Sequence, residues 1–135
     1  MPSLITHTGR LLESLPRRES AISGDGDKIQ AWLDEYCGDG GFFIRPSGNP
    51  LGFNELKDMW TSPDVEVTKS DMVSIDSVKV FAGGNAAVCT YTMYDIFNYK
   101  GTPNEDYAKN TAVLEKTDGK WKWIQGHRAT GQPPP

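Results

Sequence analysis

Apolar residues recur with the 3.6-residue period of helices in the first half of the chain and at alternate positions in the second half. The helical pattern covers residues 3–22, where Pro16 imposes a kink or break, and then residues 28–36 and 53–60. Beyond Pro63 the period changes to the two-residue repeat of strands. The chain therefore predicts three helices followed by a sheet.

Turn sequences such as Gly83-Gly84-Asn85 and Asp118-Gly119 divide the alternating pattern. Because helices come first and hairpins afterwards, we predict an α+β fold with three N-terminal helices on the concave face of a mostly antiparallel sheet of four to six strands. We expect one domain over residues 1–135, with residues 1–3 and 130–135 frayed. The predicted strands are residues 42–45, 65–68, 73–81, 86–99, 107–116 and 121–128.

The last predicted strand has two chemically different faces. Strict alternation places Trp121, Trp123 and His127 on one face and Arg128 on the other. Two tryptophans facing water would form a large apolar patch, so we predict that their face packs against a second copy of the chain. The predicted dimer interface comprises Tyr91, Met93, Trp121, Trp123 and His127.

Composition narrows the classes of partner. The net charge is −4, with acids and bases interspersed, which argues against nucleic-acid and membrane partners because both need a basic patch. Cys37, at a predicted helix end, and Cys89, in a predicted strand, belong to no ligand cluster, so we expect two reduced thiols. We expect a cytoplasmic protein, unless a targeting peptide has been removed, with no metal site and no cofactor.

The order of these elements, with FFIRPSGNPLGFNELKDMW in the middle and DGKWKWIQGHRATG near the end, resembles the nuclear-transport-factor-2-like superfamily. The resemblance is to its SnoaL-like branch, which includes the association domain of calcium/calmodulin-dependent kinase II. It implies a cone-shaped, cystatin-like sheet wrapped over three helices and assembly as a homodimer or higher oligomer. It implies no single activity, because members include isomerases, cyclases, dehydratases, transport factors and assembly modules.

The same resemblance bears on individual positions. In the kinase association domain, pocket arginines bind carboxylates, and the last of them matches Arg128. The other two fall on Thr92 and Ala112, and a pocket histidine falls on Asn54. The metal-independent iota-class carbonic anhydrases end in a motif whose histidine and serine fall here on Gly126 and Arg128. The resemblance therefore transfers only one arginine of the carboxylate-binding set and lacks the anhydrase motif.

An inward-facing Arg128 would define a small-molecule pocket. Two alternatives stay open for it: it anchors an acidic ligand, or it pairs with an acid of the chain such as Glu55 or Asp58. By parity, Asp95 would lie on the strand face opposite Tyr94, which leaves the pocket without a general base. The predicted pocket residues are Tyr36, Phe43, Asn54, Trp60, Thr90, Thr92, Tyr94, Asn110 and Arg128.

These patterns predict a dimeric domain that binds a small organic or carboxylate ligand or serves as an assembly module. No catalytic set is identifiable, since no nucleophile lies in a recognisable Ser/His/Asp or Cys/His pattern. The alternative is a cofactor-free lyase, isomerase or hydratase, including a divergent iota-type carbonic anhydrase, in which Tyr94, Asn110 and Arg128 polarise a carbonyl or carboxylate.

Overall fold

A computed structural model describes residues 26–131 of the chain. The described part contains two helices and one six-stranded sheet with the strand order β2-β1-β6-β5-β4-β3. Neighbouring strands are antiparallel except for β1 and β6, which run parallel. In chain order the elements are α1 (Gly26–Tyr36), β1 (Cys37–Ile44), β2 (Pro50–Gly52), α2 (Phe53–Thr61), β3 (Val65–Phe81), a 3₁₀ turn (Ala82–Gly84), β4 (Ala86–Tyr99), β5 (Thr102–Thr117) and β6 (Lys120–Gly131).

The α+β class predicted from the sequence is confirmed. The sheet is curved and, within the described residues, remains open, because its edge strands β2 and β3 do not pair with each other. The helices predicted at residues 28–36 and 53–60 are α1 and α2. The helix predicted at residues 3–22 lies outside the described residues, so the described part has two helices of the expected three.

Several strands differ from their predicted lengths. The strands predicted at residues 65–68 and 73–81 form one strand, β3, whose register to β4 shifts at three places. These irregularities accommodate the residues that interrupt the alternation, so the strand continues where the sequence pattern stops. β1 begins at Cys37, directly after α1, and β2 was not predicted. β6 continues to Gly131, beyond its predicted end.

Both helices pack on the concave face of the sheet. In α1, Ile29 and Leu33 are one helical turn apart and both are buried. In α2, Phe53 and Leu56 are buried in the same way. The sheet contributes the buried residues Ala87, Cys89, Tyr91, Met93, Ala108, Ala112, Leu114, Trp121 and Trp123 to this core.

The predicted dimer interface is therefore wrong for four of its five residues. Tyr91 and Met93 are 5% and 3% exposed, and Trp121 and Trp123 are each 6% exposed, within the core beneath the helices. They cannot form an outer apolar patch, because they lie on the concave face of the sheet, where the helices of the same chain cover them. His127 alone of the five is exposed.

A β-bulge in β6 is the reason for this error. Val113 pairs with Gln125, but the next residue of β5, Leu114, pairs with Trp123, so Ile124 is the extra residue. One extra residue reverses the side-chain alternation along the rest of a strand. Trp123 consequently lies on the same face as Gly126 and Arg128, although strict alternation separates them.

Candidate functional site

The register of the three central strands brings polar residues together on the concave face. Asn110 of β5 pairs with Tyr91 of β4 on one side and with Arg128 of β6 on the other. Asp95 of β4 pairs with Asp106 of β5 in the same way. Directly paired residues project from the same face, so all five lie on the side of the sheet that carries the helices.

Arg128 forms an internal ion pair at this position. Its Nη1 atom donates a hydrogen bond to Oδ2 of Asp95 at 2.5 Å, and its Nη2 atom lies 3.9 Å from Oδ2 of Asp106. The side chain of Asp95 is 4% exposed, whereas those of Arg128 and Asp106 are 17% and 20% exposed. We call Asp95, Asp106 and Arg128 the acid–arginine cluster. Its inner carboxylate is buried and its outer edge reaches solvent.

The second oxygen of Asp95 is not hydrogen-bonded within the described part of the chain. Oδ1 is buried and receives no hydrogen bond from any of residues 26–131. The neighbouring Asn110 does not supply one, because its Nδ2 donates to the backbone oxygen of Ala108 at 3.2 Å. A buried carboxylate oxygen without a donor is unfavourable, so this atom is ready to accept a hydrogen bond from a molecule that enters the cluster.

Three predicted pocket residues lie on the opposite, outer face of the sheet. Thr92 pairs with Lys109, one position away from the Tyr91 and Asn110 pair, so the even-numbered residues of β4 face outward. The predicted pocket placed even-numbered residues of β4 on the same face as the even-numbered Asn110 of β5. In the structure each even-numbered residue of β4 pairs with an odd-numbered residue of β5, so the two sets lie on opposite faces. Thr90, Thr92 and Tyr94 are therefore separated from Asn110 and Arg128 by the sheet.

The outer face has its own polar network. Thr92 donates a hydrogen bond to Asp76 at 2.7 Å and accepts one from Lys109 at 2.7 Å. Hydrogen bonds from the hydroxyls of Ser74 and Thr92 lower the pKa of Asp76 below its usual 3.8. The hydroxyl of Tyr94 donates to Glu105 at 2.5 Å, and this bond raises the pKa of Tyr94 to about 12.

Aromatic side chains, among them the predicted pocket residue Phe43, pack around Trp123. Its ring lies 6.0 Å from that of Phe43, 6.5 Å from that of Trp32 and 4.4 Å from that of Phe53, and Trp32 in turn lies 5.6 Å from Tyr36. These five residues, which we call the aromatic plug, pack where the two helices meet the concave face of the sheet; Trp32 and Tyr36 belong to α1 and Phe53 to α2. Of the other predicted pocket residues, Asn54 is exposed on α2, and the side chain of Trp60 lies outside the described part.

The sequence predicted that Arg128 faces inward but did not predict the two acids, Asp95 and Asp106, that lie beside it. The acids considered for it, Glu55 and Asp58, are exposed on α2. Asp95 gave one signal in the sequence: it is a single acid within the apolar strand segment YTMYDIF. Among residues 26–131, no group of three or more His, Cys, Asp or Glu side chains is arranged to hold a metal ion. Neither described helix has the length and hydropathy needed to cross a membrane.

The model of a family described as "Protein of unknown function (DUF3804)" matches residues 20–134. None of the curated proteins matches the chain significantly.

Solved structures share the fold over nearly the whole chain. An NTF2-like protein of unknown function from Prochlorococcus marinus is 29% identical, with a TM-score of 0.77, over 96% of this chain and 94% of its own. A putative Ca/calmodulin-dependent kinase II association domain from Exiguobacterium sibiricum is 17% identical, with a TM-score of 0.73, over 96% and 94%. A ketosteroid isomerase-like protein from Erwinia carotovora atroseptica is 18% identical, with a TM-score of 0.66, over 90% and 93%. The predicted nuclear-transport-factor-2-like fold is confirmed.

Proposed function

Since this chain belongs to the family described as "Protein of unknown function (DUF3804)", we propose from its structure that it is an assembly domain whose copies meet through the outer face of the sheet. The aromatic plug is the observation that carries the proposal. Trp123 packs against Phe43 and Phe53 at the part of the concave face where aromatic residues were expected to line a small-molecule pocket. The broad outer face of β3 to β6 is then the surface left for a partner.

The outer face has a composition suited to a second sheet. Val88 pairs with Val113, and in the next row Thr90 pairs with Thr111, so two rows at the centre of the sheet carry short β-branched side chains. No described element covers these rows. Sheets pack face to face at a spacing of about 10 Å through short interdigitating side chains of this kind, and interface centres are depleted of charge.

Two charged residues of the outer face, Asp76 and Lys109, are hydrogen-bonded to Thr92. Lys109 is held by Thr92, and Thr92 is held by Asp76. Ser77 and Thr90 share a hydrogen bond of 2.5 Å across β3 and β4. Side chains fixed in this way lose little conformational freedom when a partner covers them, which favours association.

The similarity to an association domain supports the same proposal. The protein from Exiguobacterium sibiricum is described as a putative kinase association domain, and its fold covers 96% of this chain. A shared fold does not by itself transfer a function. The support lies in the agreement between that description and the uncovered outer face of this chain.

The alternative of catalysis by Tyr94, Asn110 and Arg128 loses its geometric basis. Tyr94 lies on the outer face and is bonded to Glu105, whereas Asn110 and Arg128 lie on the concave face. The guanidinium of Arg128 is also paired with Asp95, so it is not available to polarise a substrate carbonyl without breaking that pair. We therefore propose no reaction that uses these three residues together.

Sedimentation of the wild type at micromolar concentration tests the assembly proposal. We expect a mass of at least two chains, each of 14.9 kDa. Thr111→Arg and Val113→Arg place a long cation at the centre of the outer face and should yield folded monomers. Thr102→Arg is the matched control, because Thr102 is also exposed on β5 but lies at the end of the strand. A monomeric wild type, or an equal effect of Thr111→Arg and Thr102→Arg, would contradict the proposal.

A further inference from the structure

The acid–arginine cluster contains one more carboxylate than it has cations. Asp95 and Asp106 are direct cross-strand partners on one face of the sheet, a position in which like charges repel each other. Arg128 supplies the single positive charge between them. The cluster therefore carries a net charge of −1 in a largely buried position, where charge interactions are stronger than in water.

Both carboxylates also retain unused capacity to accept hydrogen bonds. Oδ1 of Asp95 is buried without a hydrogen-bond partner among the described residues, and the side chain that carries it is only 4% exposed. Arg128 approaches Asp106 no closer than 3.9 Å, which is too long for a direct hydrogen bond. Two independent features, the unmatched charge and the unpartnered buried oxygen, indicate the same missing group: a cationic hydrogen-bond donor.

We propose that the acid–arginine cluster binds a small organic ammonium ion, whose N–H groups bridge Oδ1 of Asp95 and the carboxylate of Asp106. An ammonium group carries one positive charge and three N–H donors but no acceptor. It therefore complements the two acceptors of the cluster, Oδ1 of Asp95 and the carboxylate of Asp106, and the net charge of −1. The ligand enters from the side of Asp106, the most exposed member of the cluster. This proposal does not rest on self-assembly, because the cluster lies on the opposite face of the sheet.

Neighbouring residues specify an apolar body for the ligand. Tyr91 and Met93 lie on the same face as Asp95, four and two positions before it on β4, and both are buried. An aliphatic chain attached to the ammonium group can contact the flexible, apolar side chain of Met93, and the aromatic face of Tyr91 attracts an organic cation. A carboxylate ligand is disfavoured, because Arg128 is already paired and the remaining charge of the cluster is negative.

Thermal unfolding with four-carbon probes of matched size tests the charge preference. The probes are n-butylammonium chloride, sodium butyrate and neutral butyramide, with sodium chloride as the ionic-strength control. With butylammonium at ten times its dissociation constant, measured by calorimetry, we expect Tm to rise by about 4–8 °C. Butyrate and sodium chloride should give no such rise. Stabilisation by butyrate, or by none of the probes, would overturn the proposal; in the second case water alone fills the site.

A charge-removing variant locates the binding. Asp106→Asn should weaken butylammonium binding by about three- to tenfold, because it removes one of the two acceptor carboxylates. Asp39→Asn is the control, since Asp39 is an exposed acid on β1, outside the cluster. Circular dichroism checks that both variants are folded. Equal affinities in the two variants would place the binding elsewhere and overturn the assignment. The same titration on Thr111→Arg separates ligand binding from assembly.

Discussion

Arg128 and Asp95 form an ion pair across a strand that separates them. The two residues are 33 positions apart in the chain and lie on β6 and β4, with β5 between these strands. On β5, Asn110 is the direct register partner of Arg128, and Asp106 is the register partner of Asp95. Of the two roles open to Arg128 from the sequence, ligand anchor or internal partner, the structure shows the second, with Asp95 in place of Glu55 or Asp58.

Replacement of Arg128 tests how much this ion pair contributes to the free energy of unfolding. Arg128→Met leaves the carboxylate of Asp95 buried without a cation, so we expect the free energy of unfolding to fall by about 3–5 kcal/mol. Urea unfolding followed by circular dichroism measures the change.

The double variant Asp95→Leu/Arg128→Met provides the control. It removes both charges, so it should be more stable than Arg128→Met alone. If the single and double variants lose the same free energy, the pair does not determine the stability of this part of the sheet.

Trp123 should behave as a core residue. It is 6% exposed and contacts Phe53, Phe43 and Trp32, so Trp123→Ala should lower the free energy of unfolding by about 3–5 kcal/mol. Sedimentation and unfolding curves of Trp123→Ala should therefore show partial unfolding. Replacement of an interface residue would instead give stable, folded monomers. If Trp123→Ala is a folded monomer as stable as the wild type, Trp123 is an interface residue and not a core residue.

The indole ring of Trp123 leaves no room for a side chain at Gly126. A Cβ atom at this position would lie 2.5 Å from Cζ2 of Trp123, closer than packed atoms approach. Gly126→Ala should therefore lower the free energy of unfolding by about 1–3 kcal/mol, measured as a fall in Tm. Gly26→Ala is the control, because its added Cβ has no neighbour nearer than 3.9 Å among the described residues. A smaller loss at Gly126 than at Gly26 would contradict the packing described.

Asp76 should contribute to the acid sensitivity of the protein. Its pKa is lowered in the folded state, chiefly by the hydrogen bond from Ser74 and then by that from Thr92. The folded state binds this proton less readily than the unfolded state, so the stabilisation is complete above about pH 4 and is lost as the pH falls through the folded pKa.

Unfolding as a function of pH checks this sign. The stability difference between the wild type and Asp76→Asn should be largest near neutral pH and should shrink below about pH 4. Asp39→Asn, at an exposed position on β1, controls for the change in net charge. If the difference stays constant from neutral to acid pH, the hydrogen bonds to Asp76 do not favour its ionised form.

Local patterns in the sequence were sufficient for most elements and for the fold family. The 3.6-residue spacing of Ile29 and Leu33 predicted α1, and the Asp118-Gly119 turn predicted the hairpin between β5 and β6. Such features depend on residues that are close in the chain, so the chain order of helices and hairpins, together with the segment that ends at Gly131, was enough to identify the resemblance. The inward position of Arg128 also followed from that resemblance.

Only the tertiary structure decided which residues share a face. The alternation of Trp121, Trp123 and Arg128 predicted opposite faces, but the bulge at Ile124 brings all three to the concave face. A bulge is set by pairing with a neighbouring strand, so periodicity within β6 carries no record of it. The register between β4 and β5 likewise moved Tyr94 outward and placed Asp95 beside Arg128. The sequence thus determined most of the described elements and their order, while the pairing of distant strands determined the core and the candidate site.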